Sequence, residues 1–378
     1  MNKSNAYYLL SLSITLLFGA TATAQPPDDK KQLKAAIARV SQLATELSME
    51  IAHAVVSVDF DALEQETERM VELSVPPPLL GFQKEKVIEK TYTVNKDSRV
   101  SIDNRYGDIK VHNWPRNEVK VTVRVRTAEN SEKKAQEALD RVRINASQSG
   151  NAIAFETNIS SGDSNWWSLL TSGASDRALR IDYDVYMPKG NELTLANHYG
   201  TIELGDRDGK VVVSVSYGSL RAGRLNARGN ALDVAYSKAH VEYLNEGDVA
   251  VRYSGFTLSE AETLKLAMSS SGGEIGQVNA EADISLRYSG GFEIGLGSAI
   301  QKATVAASYS NVSIKPSADA AFHFNVAVSY GGFDYDRNRT NIGSKAENNS
   351  SKSYTGYWNK AVNNTVNVSS RYGAVSLK

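Results

Sequence analysis

Between Leu193 and Lys378 the chain repeats one pattern eight times: two or three alternating apolar residues, a tyrosine followed by glycine or serine, and a second short apolar alternation. The tyrosines are Tyr199, Tyr217, Tyr236, Tyr253, Tyr288, Tyr309, Tyr330 and Tyr372, separated by 18, 19, 17, 35, 21, 21 and 42 residues. The interval of 35 reads as two coils, because Ser270 stands where a tyrosine is expected. The interval of 42 reads as two coils with one lost in an insertion. A period near twenty with strand-like alternation is the mark of stacked coils, none of which buries its apolar side alone. The predicted fold is therefore all-β: a parallel β-helix, or β-solenoid, with coils of ~18–21 residues.

Alternation places Val213 and Val215 on one side of a strand, then Leu232 and Val234, then Val249 and Val251. The tyrosines continue this phase. The expectation is a core ladder whose hydroxyls reach corner backbone groups, with rungs about 4.8 Å apart. An exposed aromatic ladder for a sugar or peptide is the alternative. Past each tyrosine the phase slips: Ile202, Leu220 and Phe256 lie three residues on. A turn or bulge must intervene, and the glycine or serine is expected to supply that corner.

The first 24 residues read as a secretory signal: Lys3, an apolar core over Tyr7–Ala20, and Ala22-Thr23-Ala24 before the mature start at Gln25. No later stretch is long and apolar enough to span a bilayer, so no transmembrane span is expected after cleavage. The chain has no cysteine, so neither disulfides nor an acylated lipobox enter the reading. Location in the periplasm or at the cell surface follows as an expectation. Residues 25–80 read as a helical segment. Leu33, Ile37, Val40, Ala44, Leu47, Ile51 and Ala54 form a heptad seam. That seam serves either self-association through residues 33–54 or a helical hairpin. Pro76, Pro77 and Pro78 mark the boundary with the β domain, residues 85–378.

Within the β domain, Tyr106-Gly107 already carries the repeat. Residues 131–144 read as one inserted amphipathic helix, with Ala135, Ala138, Leu139 and Val142 on one face. Strands resume over 152–159 and 179–186. The polar loop between them holds Trp166 and Trp167, either a stacking platform for a sugar ring or a plug over the coil side. A second polar insertion, residues 336–362, reads as a projecting loop, with Tyr354, Tyr357 and Trp358 as candidate contacts or as aromatics tucked against the last coil.

The segments NRYGDIKVHNW and YDVYMPKGNELTLANHYGTIEL, in that order and followed by the coil run, resemble the putative adhesin domain family of exported bacterial β-solenoids. The resemblance is of a Bacteroidetes type with head-GIN-like appearance, and it covers residues 86–378. It implies a solenoid and an adhesin-like binding or scaffold role, and it brings no catalytic motif.

Net charge is −1 and acids are interspersed with bases, so nucleic acid is not an expected partner. The expected partner is a glycan or an envelope or surface protein. No recurring carboxylate position marks an active coil face. Asp206 and Asp208 read as a solvated turn, and Asp334 and Asp336 as a coil edge. His53, His112, His198, His240 and His323 are scattered without metal-ligand spacing. Neither a cofactor nor a metal is expected, and the chain is not expected to be an enzyme. A carbohydrate-active β-helix enzyme and a periplasmic signalling accessory are the alternatives.

Overall fold

The computed structural model describes residues 81–160 and 178–378. The expected signal peptide, residues 1–24, the segment 25–80 expected to be helical, and Trp166 and Trp167 lie outside the described residues. The described chain is all-β apart from one helix, Glu132–Asp140. Ser131 caps that helix, its side chain accepting from the Lys134 N–H at 3.4 Å, and Ala135 and Leu139 are its buried residues.

Each tyrosine joins two strands, and each strand pairs in parallel with its counterpart in the neighbouring repeat. In the column before the tyrosines, Val211–Ser216 lies between Glu192–His198 and Asn230–Ala235. In the column after them, Ser219–Leu225 lies between Thr201–Leu204 and the first half of Lys238–Arg252. The register carries Leu193, Val211 and the Asn230 region into one row, and Leu195, Val213 and Leu232 into the next. Alternate residues of both columns turn inward to one continuous apolar core. Val213, Val215, Val251, Ile202, Leu220 and Phe256 are all buried. The alternation that predicts strands is thus the alternation that fills the core.

Sequence order and stacking order part company at the far end. Thr365–Arg371 is inserted between Lys302–Ser308 and Phe322–Ser329. Val375–Leu377 likewise lies between Val312–Pro316 and Phe333–Tyr335. The last repeat in the sequence is therefore an interior coil, and no coil is missing from the interval of 42 residues.

Antiparallel strand pairs border the parallel columns. Val142–Ser149 pairs with Ala152–Ile159, which lies against Arg99–Arg105. Phe82–Thr93 pairs with Glu118–Glu129. Residues 336–362, expected to project as a loop, instead form the hairpin Thr340–Glu347 and Ser351–Trp358, whose second strand pairs antiparallel with Phe322–Ser329. Its polar outward residues mask it in the sequence; its inward residues, Tyr354 and Trp358, are buried against the last coil. The outer strands are rich in charge, as in Lys84, Glu85, Lys86 and Glu89 at one edge, which discourages further strand addition.

Candidate functional site: an exposed tyrosine column

The tyrosines do not continue the inward phase of the valines. Tyr106, Tyr199, Tyr217, Tyr236, Tyr253, Tyr288, Tyr309, Tyr330 and Tyr372 all have φ between 50° and 65°, as does Ser270 at 51°. This left-handed turn swings each ring out of the strand alternation, and from Tyr199 onward the column tyrosines are 38–60 % exposed. The expectation of a buried core ladder is corrected on this point. The corner is also reassigned: the left-handed residue is the tyrosine, not the glycine or serine after it.

A bulky residue in this region carries strain of about 1–3 kcal/mol and persists only where its surroundings dictate the backbone. Here they do. The Tyr217 N–H donates to the Ala235 carbonyl at 3.2 Å, and the Tyr236 N–H to the Arg252 carbonyl at 2.9 Å. Tyr253 donates to Ser269, Ser270 to Arg287, and Tyr309 to Arg371 in the same way. Each of these left-handed corners is locked onto the neighbouring repeat, and that of Tyr330 onto the Ser350 carbonyl of the hairpin.

The residue after the tyrosine points inward and comes in two chemistries. At Gly200 and Gly218 an added Cβ would lie 2.0 and 1.9 Å from the carbonyl oxygen of the glycine one coil back. Only glycine allows that approach. In the middle coils the residue is serine, and its hydroxyl bridges coils. Ser254 Oγ accepts from the Ser237 N–H at 2.9 Å and donates to the Arg252 carbonyl at 2.7 Å. Ser237 and Ser310 act the same way toward Gly218 and Ser289. In the first coils a further inward amide helps: Asn197 Nδ2 donates to the Gly107 carbonyl at 2.9 Å, and Asn104 Nδ2 to Ile181 at 2.9 Å. These asparagines are the first residue of each Asn-x-Tyr-Gly motif.

The rings stack. Tyr106, Tyr199, Tyr217, Tyr236 and Tyr253 follow one another with centroids 4.9–5.3 Å apart and planes within 19°. Beyond Ser270 a second run begins, Tyr288–Tyr309–Tyr372–Tyr330, with centroids 4.7–5.0 Å apart. Tyr372 therefore stands between Tyr309 and Tyr330. Near-parallel rings at this separation are offset-stacked. They share their faces with one another and turn edges and hydroxyls to solvent. Apart from Tyr106, no hydroxyl of the column has a hydrogen-bond partner among the described residues.

A shallow cleft of about 200 Å³ lies beside the first rungs, lined by Asp103, Arg105, Tyr106, His198 and Ser216. His198 Nδ1 and Ser216 Oγ are hydrogen-bonded, and the imidazole lies edge-on to both Tyr199 and Tyr217. Burial, then Arg105, hold its pKa below the ordinary histidine value against the opposing pull of Asp103. Among the described residues no hydrogen bond links Asp103 to His198. Among the described residues no three His, Asp or Glu side chains come together as a metal site.

The other sequence candidates are structural. Tyr354 is buried and donates to Glu347. Trp358 is buried and stacks on Phe322 at 6.3 Å. Tyr357 is half-buried, edge-on to His323. Neither Tyr354 nor Trp358 is available as a surface contact, contrary to the contact reading. In the Gly-Asp-Arg-Asp-Gly turn, Asp206 accepts from the Arg224 N–H at 2.9 Å, and Asp208 from Asn226 Nδ2 at 2.7 Å. Between them Arg207 is fully buried, donating to Asn113 and to the Pro188 and Asn191 carbonyls, with burial lowering its pKa to about 10. A purely solvated turn is thus corrected to a pinned one. Asp334 pairs with Lys378, and Asp336 Oδ1 accepts from the Asn338 N–H.

The sequence matches no protein-family model and no curated protein. Solved structures give distant likenesses. A "putative adhesin" from Parabacteroides distasonis has a TM-score of 0.40 at 9% identity, over 78% of this chain and 97% of its own. A "putative lipid binding protein" from the same organism has 0.37 at 7%, with the same coverage. A "putative cell adhesion protein" from Clostridium sporogenes has 0.24 at 11%, over 78% and 99%. At these scores none of them bears on family or activity.

Proposed function

We propose that the chain is a non-catalytic binding module built as a β-solenoid, exported to the cell envelope, which holds an extended glycan along its tyrosine column. The solenoid reading is supported by the constant parallel register of both strand columns. The observation that carries the binding reading is the set of eight tyrosines, from Tyr199 onward, held at positive φ and open to solvent. A core needs no such residue, and strained backbone gathers where a surface has work to do. From Tyr199 onward each tyrosine offers a hydroxyl without a hydrogen-bond partner among the described residues, at ring spacings of 4.7–5.1 Å interrupted at Ser270, comparable with the rise per sugar of an extended β-1,4-linked chain. An adhesin-like role fits such a surface. No helix among the described residues is long and apolar enough to cross a membrane.

The test is retention of the full chain on cellulose, chitin and peptidoglycan. The native chain is expected to be held by at least one. Replacing Tyr217, Tyr236 and Tyr253 together by phenylalanine removes hydroxyls and keeps the stack. That variant should bind at least tenfold more weakly with an unchanged melting temperature. Retention of the variant equal to native, or of the native chain on none of the three, overturns the proposal. Protease shaving of intact cells locates the module: cleavage places it outside, and protection until the outer membrane is opened places it in the periplasm.

A further inference from the structure

The tyrosine column has one vacancy. Ser270 keeps the left-handed φ of 51° and the coil-to-coil hydrogen bond to the Arg287 carbonyl at 2.9 Å. Its backbone is that of a rung; only the ring is missing. Tyr253 and Tyr288 therefore stand two coils apart, roughly 9.5 Å at about 4.8 Å per strand. Within each run the rings share their faces at 4.7–5.3 Å. The gap is then filled by one more ring at the spacing the column already uses. Elsewhere inside the column the faces are taken. Here Tyr253 and Tyr288 each have a neighbour on one side alone. Tyr253 is 56 % exposed, close to the 60 % of Tyr330 at the column's end. Tyr288, at 40 %, is the more sheltered wall.

The charge beside the gap is positive. Arg252 and Arg287 precede the two flanking tyrosines and are both exposed. Arg252 is tied to Asp233 at 2.7 Å. Arg287 has no ion-pair partner among the described residues, and its carbonyl holds the Ser270 N–H. An arginine at the same position further along can reach a ring: the Arg371 guanidinium lies 5.2 Å from the Tyr372 ring centroid.

We propose that the vacancy at Ser270 is a binding slot for a single planar aromatic ring carrying an acidic group, sandwiched between Tyr253 and Tyr288 with its acid on Arg287. The slot uses ring faces and a guanidinium, whereas the glycan reading uses ring edges and hydroxyls, so either stands without the other. Planarity is the selection rule: a flat ring stacks on both walls, while a puckered ring of the same size meets them poorly.

The experiment is titration of the full chain with phenylacetate, followed by the upfield ring-current shift of the ligand's aromatic protons, with cyclohexylacetate as the non-planar control. Phenylacetate is expected to shift and saturate, and cyclohexylacetate to bind at least tenfold more weakly. Ser270→Tyr fills the slot with the residue found at the nine other rungs, and should abolish the shift. Tyr253→Ala removes a wall and should also abolish it. Ser270→Ala leaves the slot open and should bind as the native chain does, which guards against loss through misfolding. Arg287→Gln should weaken phenylacetate several-fold. Failure of phenylacetate to bind the native chain, equal binding by Ser270→Tyr, or equal binding of cyclohexylacetate overturns the proposal.

Discussion

Coils at the two ends of the stack and coils in its middle turn the same corner with different residues. Gly107, Gly200 and Gly218 begin the series, and Gly373 and Gly331 end it in stacking order; Ser237, Ser254, Ser271, Ser289 and Ser310 lie between. At Gly200, Gly218, Gly373 and Gly331 the chain closes on the carbonyl of the previous corner, and at Gly107 on that of Ile181, leaving no room for a Cβ. Where serine stands, there is room for a hydroxyl, and at Ser237, Ser254, Ser271 and Ser310 it accepts from the backbone N–H of the preceding corner. Both keep the tyrosine at positive φ. The left-handed corner is thus set by coil-to-coil registration, and the inward residue adapts to the space that registration leaves.

The comparison presumes one inward phase throughout, and the harshest way to break it is Val251→Asp. Val251 is fully buried in a serine-cornered coil. An unpaired carboxylate there is expected to cost several kcal/mol or to prevent folding; a melting curve matching native would show the phase to be wrong. Next in size is Gly218→Ala, whose Cβ would sit 1.9 Å from the Gly200 carbonyl oxygen. Because backbone must move, the expected loss is about 3 kcal/mol or more. Ser254→Ala fits sterically but leaves the Ser237 N–H and the Arg252 carbonyl without the hydroxyl between them. It should cost about 1–3 kcal/mol. Denaturant midpoints in that order support two corner chemistries; a Gly218→Ala variant milder than Ser254→Ala would merge them.

The tyrosine itself separates strain from stacking. In Tyr236→Ala the positive φ of 50° remains and two stacking neighbours are lost. Tyr236→Gly loses the same stacking but relieves the strain. The glycine variant should therefore be the more stable by about 1 kcal/mol. Equal stabilities would mean that the surroundings, not the residue, absorb the whole conformational cost.

Much of this was open to reading from the chain alone. Alternation at Val213 and Val215, and again at Val249 and Val251, places strands and their inward faces, because burial on one side writes a period of two. The step past the tyrosine, to Ile202 or Leu220, shows that a corner intervenes. It does not show which residue makes it. Tyrosine is a poor prior for positive φ, and its apolar ring extends the valine phase, so the pattern points inward while the backbone turns the ring out. The place of Tyr372 between Tyr309 and Tyr330 was closed to reading for another reason: neighbouring coils carry the same pattern, so nothing local says which coil a strand joins. The hairpin over residues 340–358 was hidden by composition, since one of its strands is largely exposed and polar.

That hairpin supplies the smallest effect and the one most sensitive to solution conditions. Tyr354 donates to Glu347, and this bond, with Lys345 second, holds the Glu347 carboxyl below its ordinary range. The same bond, followed by burial, pushes the Tyr354 phenol up to about 12. The signs follow from linkage. A depressed carboxylate contributes stability above its unfolded pKa and loses it as pH falls through the folded value. A raised phenol contributes below its unfolded value near 10 and loses that contribution as pH climbs towards about 12. Tyr354→Phe keeps the buried ring and deletes the bond. Its melting temperature should lie slightly below native at neutral pH. The two should converge on the acid side of the carboxylate range, and again in alkali between about 10 and about 12. Parallel curves across all three regions would show that the hairpin is held by its buried aromatic rings alone. In that case the closing edge would resemble the coils it covers: apolar packing sets the strand, and polar groups follow the space it leaves.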